Sequence, residues 1–181
     1  LANYTSRYLA DALPAAALRH GVMLEVFEAP YDQLPQQVFP AGTDLKKSGC
    51  DAVFIAVDHR PLGITGSLTD VEEAGRRVQG AIGLLDSLAT EIGRSMGVRA
   101  ILHTLPQTPD SLTGSYDALF AGSQRAQIAR LNDGIRTLCG SGGHMLIDFE
   151  FLAASAGLSA WHDAKLWQAA RLPFHLDAIP L

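Results

Sequence analysis

The chain has 181 residues, 48% of them hydrophobic and 18% charged, enough to bury a full core in one domain. A net charge of -5 leaves no electrostatic footprint for nucleic acid. No apolar run approaches the ~18 residues of a membrane span. The two cysteines, Cys50 and Cys139, give no disulfide framework and read as belonging to a reduced, cytoplasmic protein.

Leu1 to Asn3 reads as the end of a first strand, and Thr5 or Ser6 can cap the helix behind it. Tyr8, Leu9, Ala12, Leu13 and Ala16 keep helical spacing. Pro14 should kink or split that helix, and Gly21 should end it. Val22 to Phe27 is the second predicted strand, closed by Glu28-Ala29-Pro30. Tyr31 to Leu45 is polar and proline-punctuated, a loop with one short helix. Ala52 to Val57 is an uninterrupted, partly β-branched apolar run. It predicts a third strand buried on both faces, as in a parallel sheet covered by helices. It stops abruptly at Asp58-His59-Arg60.

Thr69 and Glu72 have capping-box spacing. The long helix behind them is carried by Val71, Ala74, Val78, Ile82, Leu85, Ala89, Ile92 and Met96 and stopped by Gly97. Its Gly75, Gly80, Gly83 and Gly93 each weaken it by ~1 kcal/mol relative to alanine, which is explained if they allow close packing of helix on sheet. Val98 to Leu102 is the fourth strand, ending at His103-Thr104. Ile128, Leu131, Ile135 and Leu138 define another helix, stopped at Gly140. Met145 to Ile147 is the fifth strand, followed by short helices at 151–156 and 164–170. The alternation predicts a three-layer α/β/α fold on a five-stranded parallel sheet, in an SGNH- or flavodoxin-like order. Residues 1–172 form the domain and 173–181 a linker or docking tail.

In such a sheet the strand ends share one rim, which is where an open α/β sheet places its ligand. Asn3 to Ser6, Glu28, Asp58, His59, His103 and Asp148 all fall there. Each has a plain structural alternative. Ser6 and Asp148 can cap helices, His59 can be solvated, and His103 can be a satisfied histidine beside a loop. Asp58 is the strongest functional candidate, because a carboxylate ending a buried strand needs partners. His162 and Asp163 are adjacent, so their side chains diverge and need not form a dyad. The chain has no dinucleotide fingerprint, no P-loop and no Gly-x-Ser-x-Gly elbow. It has no Cys/His metal spacing and no Asp-x-Asp after a strand, so no metal ligands are assigned.

The motifs and their order resemble the N-terminal domain of FkbH-type proteins. The resemblance rests on Asn3-Tyr4-Thr5 before Leu9-Ala10-Asp11, Glu28-Ala29-Pro30-Tyr31-Asp32-Gln33 and Val57-Asp58-His59-Arg60. It continues through Ile128 to Asn132, Trp161-His162-Asp163-Ala164-Lys165-Leu166-Trp167 and Leu172-Pro173-Phe174. It implies an SGNH-like fold, followed in cis by a haloacid-dehalogenase-type (HAD) domain that carries the Mg²⁺ and the phosphoryl chemistry. Such proteins form a glyceryl unit from 1,3-bisphosphoglycerate and load it on an acyl carrier protein for polyketide assembly; others serve sugar or capsule pathways. The chain opens at Leu1 without Met and ends about where the second domain would begin, as a piece of a longer protein would. No cofactor is expected in this part.

Against the SGNH pattern, Asn3-Tyr4-Thr5-Ser6 stands where Gly-Asp-Ser belongs. Asp58-His59-Arg60 replaces the block with the oxyanion-hole Asn. His162-Asp163 has the wrong order and spacing for Asp-x-x-His. The expectation is therefore a fold retained without hydrolase chemistry, an accessory domain. Asn3, Tyr31, Asp32, Gln33, His59, Arg60 and His103 are its candidate binding residues. The alternative is a rearranged hydrolase or acyltransferase acting on an ester or thioester. There Ser6 or Thr5 attacks, His162 or His59 is the base, and Asp58 or Asp163 orients it. A flavodoxin-like small-molecule binder is a third reading.

Overall fold

The computed structural model describes residues 1–66 and 70–178. Its centre is a parallel sheet of three strands in the order β1 (Ala52–Phe54), β2 (Arg99–His103), β3 (Met145–Ile147). Val53 lies opposite Ala100, and Leu102 opposite Leu146. Among the described residues the sheet has three strands where five were expected. The first expected strand is reduced to a single parallel bridge, Ala2 to Ala56. Val22–Phe27 is not a strand: beyond the Val22 N–H, which bonds Ala17, its backbone joins no ladder. Leu1–Asn3 is short, and it is already paired with β1 on one side and with the Asp32 N–H on the other. Apolar β-formers without a hydrogen-bonded neighbour stay exposed, and Met23 is 92% exposed.

Side chains alternate across β1 with period two. Val53, Ile55 and Val57 enter one apolar cluster with Leu85, Leu88, Ile92, Leu131 and Ile135. Phe54 and Ala56 meet a second cluster that holds Tyr4, Ala153, Trp161, Leu172 and Phe174. The first cluster is built on α4 (Val71–Met96) and α5 (Gln124–Gly142). The second draws on α6 (Phe149–Ala156), α7 (Leu158–Trp161) and α8 (Ala164–Ala170). α1 (Arg7–Leu18) is one helix through Pro14 and contributes only the partly buried Leu9. Two short helices, α2 (Leu34–Val38) and α3 (Asp44–Lys47), stand where one was expected.

α4 ends as the sequence predicts, on Gly97 in the left-handed conformation. The Asp70 carboxylate caps its start by accepting from the Glu73 N–H, whereas Thr69 lies outside the described residues. α5 runs past Gly140 and closes on left-handed Gly143. The helical glycines correct a second expectation. A Cβ at Gly75, Gly80 or Gly83 would meet nothing within 4 Å, so these glycines do not bring the helix close to the sheet. The close approach is elsewhere: a Cβ on Gly134 of α5 would sit 2.3 Å from the Ile82 Cδ1 of α4.

Candidate functional site

Backbone N–H groups just past the sheet ladder must be satisfied by something other than a strand. Here side chains do it. The Val57 N–H donates to His103 Nε2 at 3.0 Å, and the Asp58 N–H donates to Asn3 Oδ1 at 2.7 Å. The Leu105 N–H donates to Asn132 Oδ1 at 2.7 Å, and Asn132 Nδ2 returns a bond to the Leu105 carbonyl.

His103 is fixed by this arrangement. Its Nε2 accepts, so its proton is on Nδ1, 2.8 Å from the Thr104 carbonyl. Its ring packs against those of Phe54 and Phe149, which also touch each other. Burial drives its pKa from 6.5 down to about 4, against the Thr104 carbonyl and the Asp58 charge.

Asp58 and His59 are both buried. The Asp58 carboxylate accepts from the Arg60 N–H at 2.9 Å and from Arg60 Nη1 at 3.2 and 3.1 Å. His59 Nε2 accepts from Gln124 Nε2 at 2.7 Å. Its Nδ1 stands 3.6 Å from Asp58 Oδ2, too far for a hydrogen bond. Burial lowers the His59 pKa to about 4, with Asp58 opposing. The Arg60 guanidinium lies over the Trp167 ring, 4.0 Å from its centroid.

Tyr4, Asp58, His59, His103, Trp161, His162 and Phe174 line a cavity of about 20 Å³ beside these strand ends. That is room for about one water molecule. Tyr4 is buried, and among the described residues its hydroxyl has no hydrogen-bond partner. Burial first, and the Asp58 charge second, push that hydroxyl far above the usual phenol range. His162 Nε2 donates to the Gln107 carbonyl at 2.8 Å, which leaves Nδ1 as a lone-pair acceptor. Burial lowers the His162 pKa as well, against that carbonyl.

Asn3, Asp58, His59, Arg60, His103 and His162 are thus gathered at one place, and the other sequence candidates are not. The Ser6 hydroxyl donates to Glu28 Oε1 at 2.5 Å and gives no cap bond to α1. The Thr5 hydroxyl donates to the Ala170 carbonyl. Asp163 caps α8 through the Lys165 and Leu166 N–H groups instead of meeting His162. Tyr31 is exposed. Asp32 occupies a positive-φ turn and Gln33 precedes α2. Asp148 caps α6 and accepts from the Thr104 hydroxyl at 2.7 Å. Burial works against its charge, but the Thr104 and Phe151 donors and the Arg136 charge hold its pKa below the ordinary value. Among the described residues no hydroxyl bonds a histidine, and no three His, Cys, Asp or Glu side chains are placed to hold a metal ion. No helix described is long and apolar enough to cross a membrane.

The sequence reading gives no site role to Tyr4, Gln124, Asn132 or Arg171, although Tyr4 and Asn132 stand in motifs that carry the family resemblance. A signal existed for Arg171: it follows Trp167 by four residues, the spacing that lets a guanidinium reach an aromatic ring along a helix. Gln124 carried none, because its partner His59 lies 65 residues away in the chain.

A parallel sheet with helices and a water-sized recess at its strand ends defines an α/β domain. The family described as FkbH, N-terminal domain, matches residues 1–181, and the chain belongs to that family. Among solved structures it is similar to the "N-terminal part of the protein BF1531 from Bacteroides fragilis containing phosphatase domain complexed with Mg". The TM-score is 0.84 at 19% identity, covering 99% of this chain and 47% of that one, so the chain spans about half of that neighbour. No curated protein matches the chain.

Proposed function

We propose that this chain is the accessory, non-catalytic N-terminal domain of an FkbH-like protein. That protein forms a glyceryl unit from 1,3-bisphosphoglycerate and loads it on an acyl carrier protein in polyketide biosynthesis, in a reducing, cytoplasmic setting. The observation that carries the reading is the family match along the whole chain. The neighbour named for a phosphatase domain with Mg supports a HAD-type domain in cis, with the Mg²⁺ and the phosphoryl chemistry there. The strand-end carboxylates described do not fit that ion: the Asp58 oxygens are taken by Arg60, and Asp148 is a helix cap. On this reading the strand-end rim and the tail 173–181 face the following domain or the carrier protein, and the sheet keeps an SGNH-like order. The experiment compares glyceryl loading and carrier affinity for the full-length protein with and without residues 1–181. Loss of either on removal is the expected result; unchanged loading and unchanged affinity reject the proposal.

One observation favours a second reading, a hydrolase or acyltransferase acting on esters or thioesters. His162, which lines the cavity, is oriented through Nε2 by a carbonyl and has Nδ1 unbonded, as a general base requires. Ser6 or Thr5 would then have to leave Glu28 or Ala170, with Asp58 beside the cavity. Turnover of short acyl esters and thioesters, lost in Ser6→Ala or in His162→Ala, is what this reading requires. Turnover that survives both changes ends it.

A further inference from the structure

Between β2 and α5 the segment from Leu112 to Phe120 turns its large apolar side chains to solvent. Leu112, Tyr116, Leu119 and Phe120 are 69, 63, 77 and 38% exposed. The segment is nonetheless tied down from within. The buried Asp117 carboxylate accepts from the Ser111 and Thr113 hydroxyls and from the Leu112 and Thr113 N–H groups. The Asp117 carbonyl accepts from the hydroxyl of Ser123, the residue that caps α5. The Tyr116 carbonyl takes the N–H groups of both Leu119 and Phe120, which spaces these three side chains as neighbours on one helical turn. The Tyr116 and Phe120 rings stand 6.2 Å apart. Apolar groups held outward on a fixed frame mark a contact surface.

Two arginines border it. A Cβ added at Gly66 would meet Leu112 Cδ1 at 2.8 Å and the Gln124 nitrogen at 3.4 Å, so the Leu112 end lies beside the first turn of α5, where Arg125 stands. At the other end Arg130 Nη2 donates to the Ala121 carbonyl, next to Phe120. Among the described residues neither guanidinium has a carboxylate partner, and the Arg125 side chain has no hydrogen bond. Asp110 is the one exposed carboxylate between residues 106 and 123.

We propose that this surface docks an acidic, amphipathic helix, and that the carrier protein presents it. The chain as a whole carries a charge of -5, so an acidic partner is repelled except where cations stand without carboxylates. A basic or uncharged partner would leave both guanidinium groups unanswered at the edge of the contact. The four apolar side chains supply the buried centre, and the arginines supply the rim that orients the helix. The inference rests on the carrier-protein reading proposed above and assigns that partner a surface.

The test measures carrier-protein affinity of the full-length protein by calorimetric titration at low and at high salt. Leu119→Ser and Arg125→Glu should each weaken binding at least tenfold, and binding by the parent should fall as salt rises. Both side chains are exposed, so Tm should stay that of the parent, which separates lost docking from lost folding. Affinity unchanged in both variants overturns the surface and leaves the carrier reading standing, whereas no carrier binding by the parent removes both. Binding that is weakened by Leu119→Ser but indifferent to salt and to Arg125→Glu overturns the acidic chemistry of the partner. Concentration-dependent dimerisation of the parent that Leu119→Ser abolishes gives the surface to a second copy of the chain and overturns the proposal.

Discussion

Acid should destabilise this domain from pH 6.5 downward, and His103 is a main reason. It is 2% exposed, its Nε2 accepts the Val57 N–H, and its pKa is lowered from 6.5 to about 4 by burial. Between those two values the unfolded chain binds a proton that the folded chain refuses, so stability falls as pH falls. With 6.5 unfolded and about 4 folded, the linkage amounts to ~2 kcal/mol at pH 5 and ~3 kcal/mol at pH 4. His59, 3% exposed and also lowered to about 4, adds a loss of the same order. Together they remove much of the ~5–15 kcal/mol that holds a typical domain folded. The assay is urea unfolding at pH 7, 6, 5 and 4.5 on the parent and on His103→Phe. The phenyl ring keeps an aromatic partner for Phe54 and Phe149 but leaves the Val57 N–H without an acceptor. The variant should lose ~1–3 kcal/mol at pH 7. It should also lose stability less steeply toward acid, by ~2 kcal/mol between pH 7 and pH 5. Parallel pH profiles for the two proteins would refute the assignment of His103 as a buried neutral acceptor.

The helical glycines give predictions of opposite sign. Gly80→Ala and Gly83→Ala, each entering open space on α4, should stabilise by ~0.5–1 kcal/mol apiece, and together raise Tm by ~2–8 °C in thermal melts. Gly134→Ala places a Cβ 2.3 Å from Ile82 Cδ1 and 2.7 Å from Cγ1. The overpacking of ~1–3 kcal/mol outweighs the helix-propensity gain. Ile82→Val, which deletes Cδ1, should recover part of that loss, and additive effects in the double-mutant cycle would rule out the contact. Asn132→Ala strips both bonds from buried Leu105 and should cost ~2–4 kcal/mol by chemical denaturation. A cost under ~0.5 kcal/mol, the range of an ordinary surface change, would show that water replaces the amide.

Much of the frame is legible in the residues. The apolar run 52–57, the eight-position helical stripe from Val71 to Met96 and the glycine stop at 97 each carry enough local signal to stand alone. The second expected strand failed because Val22–Phe27 meets every compositional requirement of a strand but has no ladder to join. Hydrophobic pattern reports eligibility for pairing, and the neighbour is decided elsewhere in the chain. The glycines of α4 failed for a similar reason: a missing side chain looks the same in sequence whether it faces a sheet or open water. At the rim, the positions of Asn3, Asp58, His59 and His103 were readable because strand ends follow from the apolar runs. Their partners were not, since Asn3 to Asp58 and Val57 to His103 are tertiary contacts across 55 and 46 residues.

Those tertiary contacts change what the polar rim means. In a parallel sheet the backbone beyond the last ladder bond still needs acceptors, and β1 runs out before Val57 and Asp58 do. His103 and Asn3 supply the missing acceptors, as Asn132 does for Leu105 past β2. They act as one-residue extensions of the sheet, and a group held that way cannot also move a proton without releasing a buried N–H. Subtracting the groups so committed leaves a short remainder at this edge: the Tyr4 hydroxyl, His162 Nδ1, and the guanidinium donors of Arg171 and Arg60. Ligand chemistry at this edge has to be built from that remainder. Substitutions there should change binding at little cost to folding, and substitutions at Asn3, His103 or Asn132 should do the reverse. A variant of His103 that kept full stability but lost a measured ligand affinity would break the division and return the histidine to the functional set.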